Sequence, residues 1–160
     1  MNPDTKAKLR FQFLIRVVSR EWRYLEETAS RLFAEPFTVD RAEKLETDFR
    51  LAETLEAFVS RFGRLQDTLG DKFIPELLQA TGEKLSVYIQ NLDRAEKLGW
   101  IGSADTWLEI RQLRNQMVHE YIEETEILVS AINNARRYLP ELNGAQQSLV
   151  RQVTELGWSS

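Results

Sequence analysis

From Leu45 to Leu69 apolar side chains return every three or four residues, as Leu45, Phe49, Ala52, Leu55, Phe58 or Val59, Phe62, Leu65 and Leu69. At about 100° per residue this spacing gathers them on one face of a helix, whereas strand alternation would divide them between two faces. Continuous over some 30 residues, such a helix reaches about 45 Å at a rise of about 1.5 Å per residue. A stripe of that length needs other helices to cover it. Asp40 suits the start as a cap, with Glu43 three positions on as its capping-box partner, and Gly70 suits the end. Gly63 lies inside the run and costs up to about 1 kcal/mol relative to alanine, which implies that another helix approaches closely there.

The same period recurs along most of the chain. Pro3 and Asp4 open a helix in which Leu14, Val17, Val18, Leu25, Ala29 and Leu32 lead to about Phe33. Phe11, Phe13, Trp22 and Tyr24 widen its apolar face, for bundle contacts or for a partner surface. Glu35-Pro36-Phe37-Thr38 breaks the pattern. A short helix fits Asp71 to Ala80, started at Asp71 or restarted at Pro75, and Thr81-Gly82 closes it. The next segment runs from Glu83 through Leu85, Tyr88, Ile89 and Leu92 to Leu98, with Gly99 as its stop. After Trp100-Ile101-Gly102, Ser103 caps a helix beginning at Ala104 and carrying Trp107, Ile110, Leu113 or Arg114, and Met117.

Glu120, Glu123, Glu124 and Glu126 then mark a new helix near Ile122, because negative charge favours helix N-termini. Ile127, Leu128, Ala131, Ile132 and Ala135 carry it towards Leu139. Pro140 and Gly144 are expected to interrupt it, leaving a last amphipathic segment with Leu149, Val150, Val153 and Leu156. Trp158 is either a docking residue or part of an exposed tail. The repeat of Asp40-Arg41-Ala42-Glu43-Lys44-Leu45 at Asp93 to Leu98 has poorly aligned flanks and reads as two strong helix formers, not a duplication. The expectation is an all-α, up-and-down bundle of about five helices with short extra helices, in a single domain over 1–160.

With no cysteine, disulfides and thiolate metal sites are excluded. A single histidine leaves zinc only carboxylates as further ligands, so neither a metal nor a cofactor is expected. The polar stretch Met1 to Arg10 lacks the apolar core of a signal peptide, and no later run is long enough to span a bilayer. A soluble, cytoplasmic protein without a membrane partner is the expectation. The formal charge of −4, with both signs mixed, argues against coating nucleic acid by bulk electrostatics but leaves room for a local phosphate site built from arginines. Glycine-rich phosphate loops and a nucleophile elbow are absent.

What remains is the run Leu113-Arg114-Asn115-Gln116-Met117-Val118-His119-Glu120-Tyr121, which contains the chain's one histidine. One helical turn separates Asn115 from His119, while Arg114 and His119 stand about 140° apart on a straight helix. A long arginine can reach round, or a two-fold dimer can bring both residues of both chains into one cleft. Histidine accepts and donates protons near neutrality, so His119 suits general acid–base chemistry. The Arg114 fork fits a phosphate and its transition-state charge, and Asn115 suits orienting the ring or binding substrate. Arg111, Arg136 and Arg137 are candidate backbone contacts.

The R-N-x-x-x-H-x-Y run resembles the R-x4-H-x-Y signature of the HEPN superfamily, and specifically its HepT-type toxins. The lead-in from Leu92 through Leu108 is similar as well. The resemblance implies a homodimeric HEPN-like helical domain acting as a metal-independent endoribonuclease, with Arg114 and His119 catalytic. It also implies a minimal nucleotidyltransferase antitoxin that transfers AMP to Tyr121, adding bulk and charge in a cleft meant for RNA. The plain alternative for Tyr121 is a packing residue with a hydrogen-bonded tip. The glutamates after it suit a solvated helix start, or contact with a cationic patch on the antitoxin. The rival reading is a non-catalytic substrate-binding subunit of a two-component nucleotidyltransferase. A structural adaptor indifferent to Arg114, His119 and Tyr121 is the third.

Overall fold

The computed structural model describes residues 3–119 and 123–159, with the side chains of Pro3 and His119 outside the description. Its long elements are α1 (Pro3–Leu32), α3 (Phe49–Asp67), α5 (Tyr88–Lys97), α6 (Ala104–His119) and α7 (Thr125–Glu155). Short ones are α2 (Val39–Ala42), a 3₁₀ turn (Glu43–Glu46), and a wide-turned segment (Thr68–Phe73) that joins α3 to α4 (Ile74–Ala80). The molecule is the all-α bundle that the periodicity demands.

The bundle is up-and-down. In α1 and α3, Arg61 reaches the carbonyl of Tyr24 while Arg10 bonds Glu76 of α4, so the two helices run in opposite directions. Between α6 and α7, Tyr138 donates to Glu109 at 2.7 Å. Trp158, just beyond α7, stacks on Phe11 near the start of α1, with ring centroids 5.6 Å apart and planes 10° from parallel. Trp158 is therefore a docking residue. Phe11, Leu14, Val18, Leu25 and Leu32 of α1 are buried at helical spacing, as are Phe58, Phe62 and Leu65 of α3 and Leu69 of the wide-turned segment. Trp107 and Ile110 of α6 and Ile132, Leu149 and Val153 of α7 complete one hydrophobic cluster. Each such side chain contributes about 1.5–3 kcal/mol when fully buried.

Several sequence signals resolve differently in three dimensions. The long run does not begin at Asp40, because Thr38 caps α2 by accepting from the amide of Arg41. Phe37 and Ala42, on either side of that cap, are both buried, a hydrophobic staple that fixes the entry angle. Glu43 enters the 3₁₀ turn, and Asp48 restarts the helix by accepting from Leu51. Phe49, the first residue after that cap, is left 73% exposed, outside the stripe to which its spacing assigned it. Residues 83–87 lie ahead of α5 instead of within it.

Gly70 does not end the second long helix. The chain passes through it in the wide-turned segment, where the amide of Ile74 bonds the carbonyl of Leu69 five residues back. That extra residue per turn makes room for Pro75, whose ring would otherwise press on the carbonyl four residues earlier. Pro140 and Gly144 likewise lie inside an unbroken α7. Ala135, Leu142, Ala145, Leu149 and Val153 share its buried face, and their packing outweighs one missing hydrogen bond at the exposed Pro140. At Gly99 the expected left-handed terminus does occur, with φ of +78°, and Gly82 and Gly157 adopt the same conformation with φ of +82° and +78°.

Candidate functional site

Helix α6 delivers the motif. Ser103 caps it by accepting from Thr106, and Glu96 accepts from the Ala104 amide at 2.7 Å, so two side chains hold its first turn. Trp107 and Ile110 are fully buried, which sets the rotation of the helix and turns Arg114 and Val118 towards α3. Gly63 of α3 receives them. A Cβ at Gly63 would stand 3.2 Å from Cγ2 of Val118 and 3.5 Å from Cγ of Arg114, so the missing side chain lets α6 settle against α3. The close approach implied by that glycine is present.

One turn beyond Gly63, Asp67 takes the guanidinium. Arg114 donates from Nε to Oδ1 at 2.9 Å and from Nη2 to Oδ2 at 2.6 Å, a two-point fork on a carboxylate. The Arg114 side chain is 18% exposed and that of Asp67 35%, so the pair is half-sheltered at the edge of the bundle. Its Nη1 also lies 3.3 Å from Oδ1 of the exposed Asn115. The arginine is thereby aimed along α3 and held there.

This pair sits in the wall of an open groove of about 560 Å³ between α3, α6 and α7. Leu55, Val59, Met117, Leu128 and Ile132 make its apolar floor and sides, with Glu56, Arg64, Asp67 and Arg114 as charged groups around them. His119 is the last residue of α6, one turn after Asn115, and its backbone ends the helix beside this groove's Val118 wall. Its imidazole, together with Glu120 and Tyr121, lies outside the described residues. Glu123, Glu124 and Glu126 are exposed, and α7 starts at Thr125.

The other candidate arginines have structural partners. Arg111 bonds Asp71 at 2.6 Å and lies 4.0 Å over the ring of Tyr88, Arg136 lies 4.8 Å over Phe33, and Arg137 reaches Oδ1 of Asn134 at 3.5 Å. Tyr88, whose hydroxyl is pushed up by burial, also accepts from the buried Gln66 at 3.0 Å. Among the described residues no three His, Asp or Glu side chains converge as metal ligands, and no helix is long and apolar enough to cross a membrane. Asp67 was not marked by sequence reasoning. Its one available signal is position, four residues after the buried glycine and hence on the same face of α3.

Comparison with family models, with characterised proteins and with solved structures returns no match. The resemblance to HEPN toxins therefore stands on the motif and its lead-in alone.

Proposed function

We propose that this chain is the toxin of a HEPN-type toxin–antitoxin pair, a metal-independent endoribonuclease acting on single-stranded cytoplasmic RNA as a homodimer. The observation that carries the reading is the placement of Arg114: its fork stands in the wall of an open groove, five residues before the histidine that ends the same helix. In the reaction, one His119 takes the proton of a 2′-hydroxyl, whose oxygen attacks the adjacent phosphorus. The bond to the 5′-oxygen breaks, that oxygen receives a proton from the second His119, and a 2′,3′-cyclic phosphate remains. Arg114 offsets the charge that builds on the phosphoryl oxygens. Asp67 orients the fork before substrate arrives and competes with the phosphate for it. Transfer of AMP to Tyr121 by a minimal nucleotidyltransferase partner would place a second phosphate beside this site and exclude RNA by bulk and repulsion.

A second reading is favoured by the apolar lining of the groove and by the engagement of Arg114 with Asp67. In it the chain is the non-catalytic substrate-binding subunit of a two-component nucleotidyltransferase. Incubation with single-stranded RNA in EDTA separates the two. Cutting that survives the chelator and falls by at least about 100-fold in both His119→Ala and Arg114→Ala supports the nuclease. No cutting, with a tight complex formed with the partner nucleotidyltransferase, supports the binding subunit. Mass spectrometry after co-expression with that partner should find AMP on Tyr121; unmodified but inhibited protein would refute the silencing step.

A further inference from the structure

Around α3 from the Arg114 groove, a different face of the helix forms two adjoining grooves against α1 and the α2 region, of about 490 and 410 Å³. They share Arg31, Arg50 and Thr54, and so make one continuous channel. Arg31, Arg41, Lys44, Arg50 and Arg61 line it, five cations against the three carboxylates of Glu35, Asp48 and Glu53. In a chain of net charge −4 this is a local reversal of sign.

How these cations are held distinguishes them from four arginines elsewhere. Arg10, Arg94, Arg111 and Arg114 are each neutralised by a carboxylate. In the channel, Arg41 donates to the carbonyls of Leu32 and Glu35, and Arg61 to the carbonyl of Tyr24 and the hydroxyl of Thr28. Carbonyl and hydroxyl oxygens fix a guanidinium without cancelling its charge. Lys44 and Arg50 make no ion pair among the described residues, and Asp48 is committed to the Leu51 amide. Only Arg31 is paired, with Glu27, and that pair is exposed. At the Arg61 end the ring of Tyr24 is 52% exposed and lies 5.4 Å under the guanidinium, a platform on which a base can stack.

We propose that this channel is a track for the sugar-phosphate backbone of single-stranded RNA flanking the segment held at Arg114. The inference rests on the ribonuclease reading for the identity of its ligand. Arg50, Thr54 and Arg61 recur on one side of α3 over 11 residues, about 16 Å, long enough for several nucleotides. Ala57 lines this channel and Ser60, three residues on along α3, lines the Arg114 groove, so a strand can cross from one to the other there.

The test is fluorescence anisotropy of the full chain with a labelled 2′-O-methyl oligonucleotide, which binds like RNA but lacks the attacking hydroxyl. Lys44→Glu with Arg50→Glu should weaken binding at least 10-fold and lower the slope of log affinity against log salt by about 1.4, two phosphate contacts at about 0.7 each. Both side chains are exposed and form no hydrogen bond among the described residues, and thermal unfolding checks that the fold is kept. Lys97→Glu with Arg151→Glu, exposed and equally charge-reversing, should bind within about threefold of the parent. Unchanged binding in the channel variant, an equal loss in the control variant, or no binding by the parent chain overturns the proposal. If the channel variant loses binding while RNA is not cut in a His119-dependent way, the track stands and the nuclease reading falls. His119-dependent cutting with unchanged channel-variant binding is the converse.

Discussion

Asp67 holds the Arg114 fork at two points in the wall of the candidate site. Asp67→Asn keeps the shape and removes the charge that holds the fork. Stability should fall by about 1 kcal/mol, the scale of a half-exposed pair, read as a shift in the urea midpoint. On the ribonuclease reading, RNA should bind a few-fold tighter because the competing anion is gone, while kcat falls about 10-fold because the fork is no longer aimed. A variant in which both quantities are unchanged removes Asp67 from the site. Glu21 supplies a separate residue-scale effect. Burial raises its carboxyl above the ordinary 4.5, against the lowering by the Thr68 hydroxyl and by Arg64 and Lys72, and one carboxylate oxygen is buried without a partner. The folded chain therefore holds this proton more readily than the unfolded chain. The stabilisation linked to it is full below about pH 4.5 and is lost as pH rises through the raised value. Glu21→Gln should accordingly be more stable than the parent at pH 7, and the difference should close as pH falls below 4.5; a constant difference across that range contradicts the assignment.

Glycine and proline carry different messages at the scale of the helix, and only packing decides between them. Gly99, after α5, has an exposed position and a positive φ, and the break read from it is real. Gly70 and Pro75 look alike in the sequence but lie in a continuous helical path, where the widened turn accommodates the ring and the glycine admits Tyr88. A Cβ at Gly70 would stand 2.9 Å from both Nε2 of Gln66 and the hydroxyl of Tyr88. Gly70→Ala should therefore cost about 1–3 kcal/mol despite the better helix propensity of alanine, measured by chemical denaturation. Pro140 gives the opposite prediction. It is exposed and only subtracts a hydrogen bond from α7, so Pro140→Ala should raise stability by up to about 3 kcal/mol. Local rules locate the helices because burial repeats every turn. They misplace boundaries wherever distant residues repay a local cost, as Leu142 and Leu149 do across Pro140.

Across the whole molecule, the fold class and the close approach at Gly63 were legible from spacing, since both follow from which faces must be covered. The motif's address at the end of α6 was legible too. Its partner Asp67 was not, because 47 residues separate it from Arg114 and only antiparallel packing of α3 and α6 brings them together. Nor was the cationic channel, whose residues come from α1, the α2 region and α3. The stack of Trp158 on Phe11 works at this largest scale, since it joins the first helix to the last. Trp158→Ala should speed amide hydrogen exchange in the last turns of α7 and the first turns of α1 together, and exchange altered in α7 alone would show that the two are not coupled. A bundle whose outer helices are fastened to each other at their ends should not unravel one helix at a time: on heating, melting should be abrupt and both should let go at the same moment.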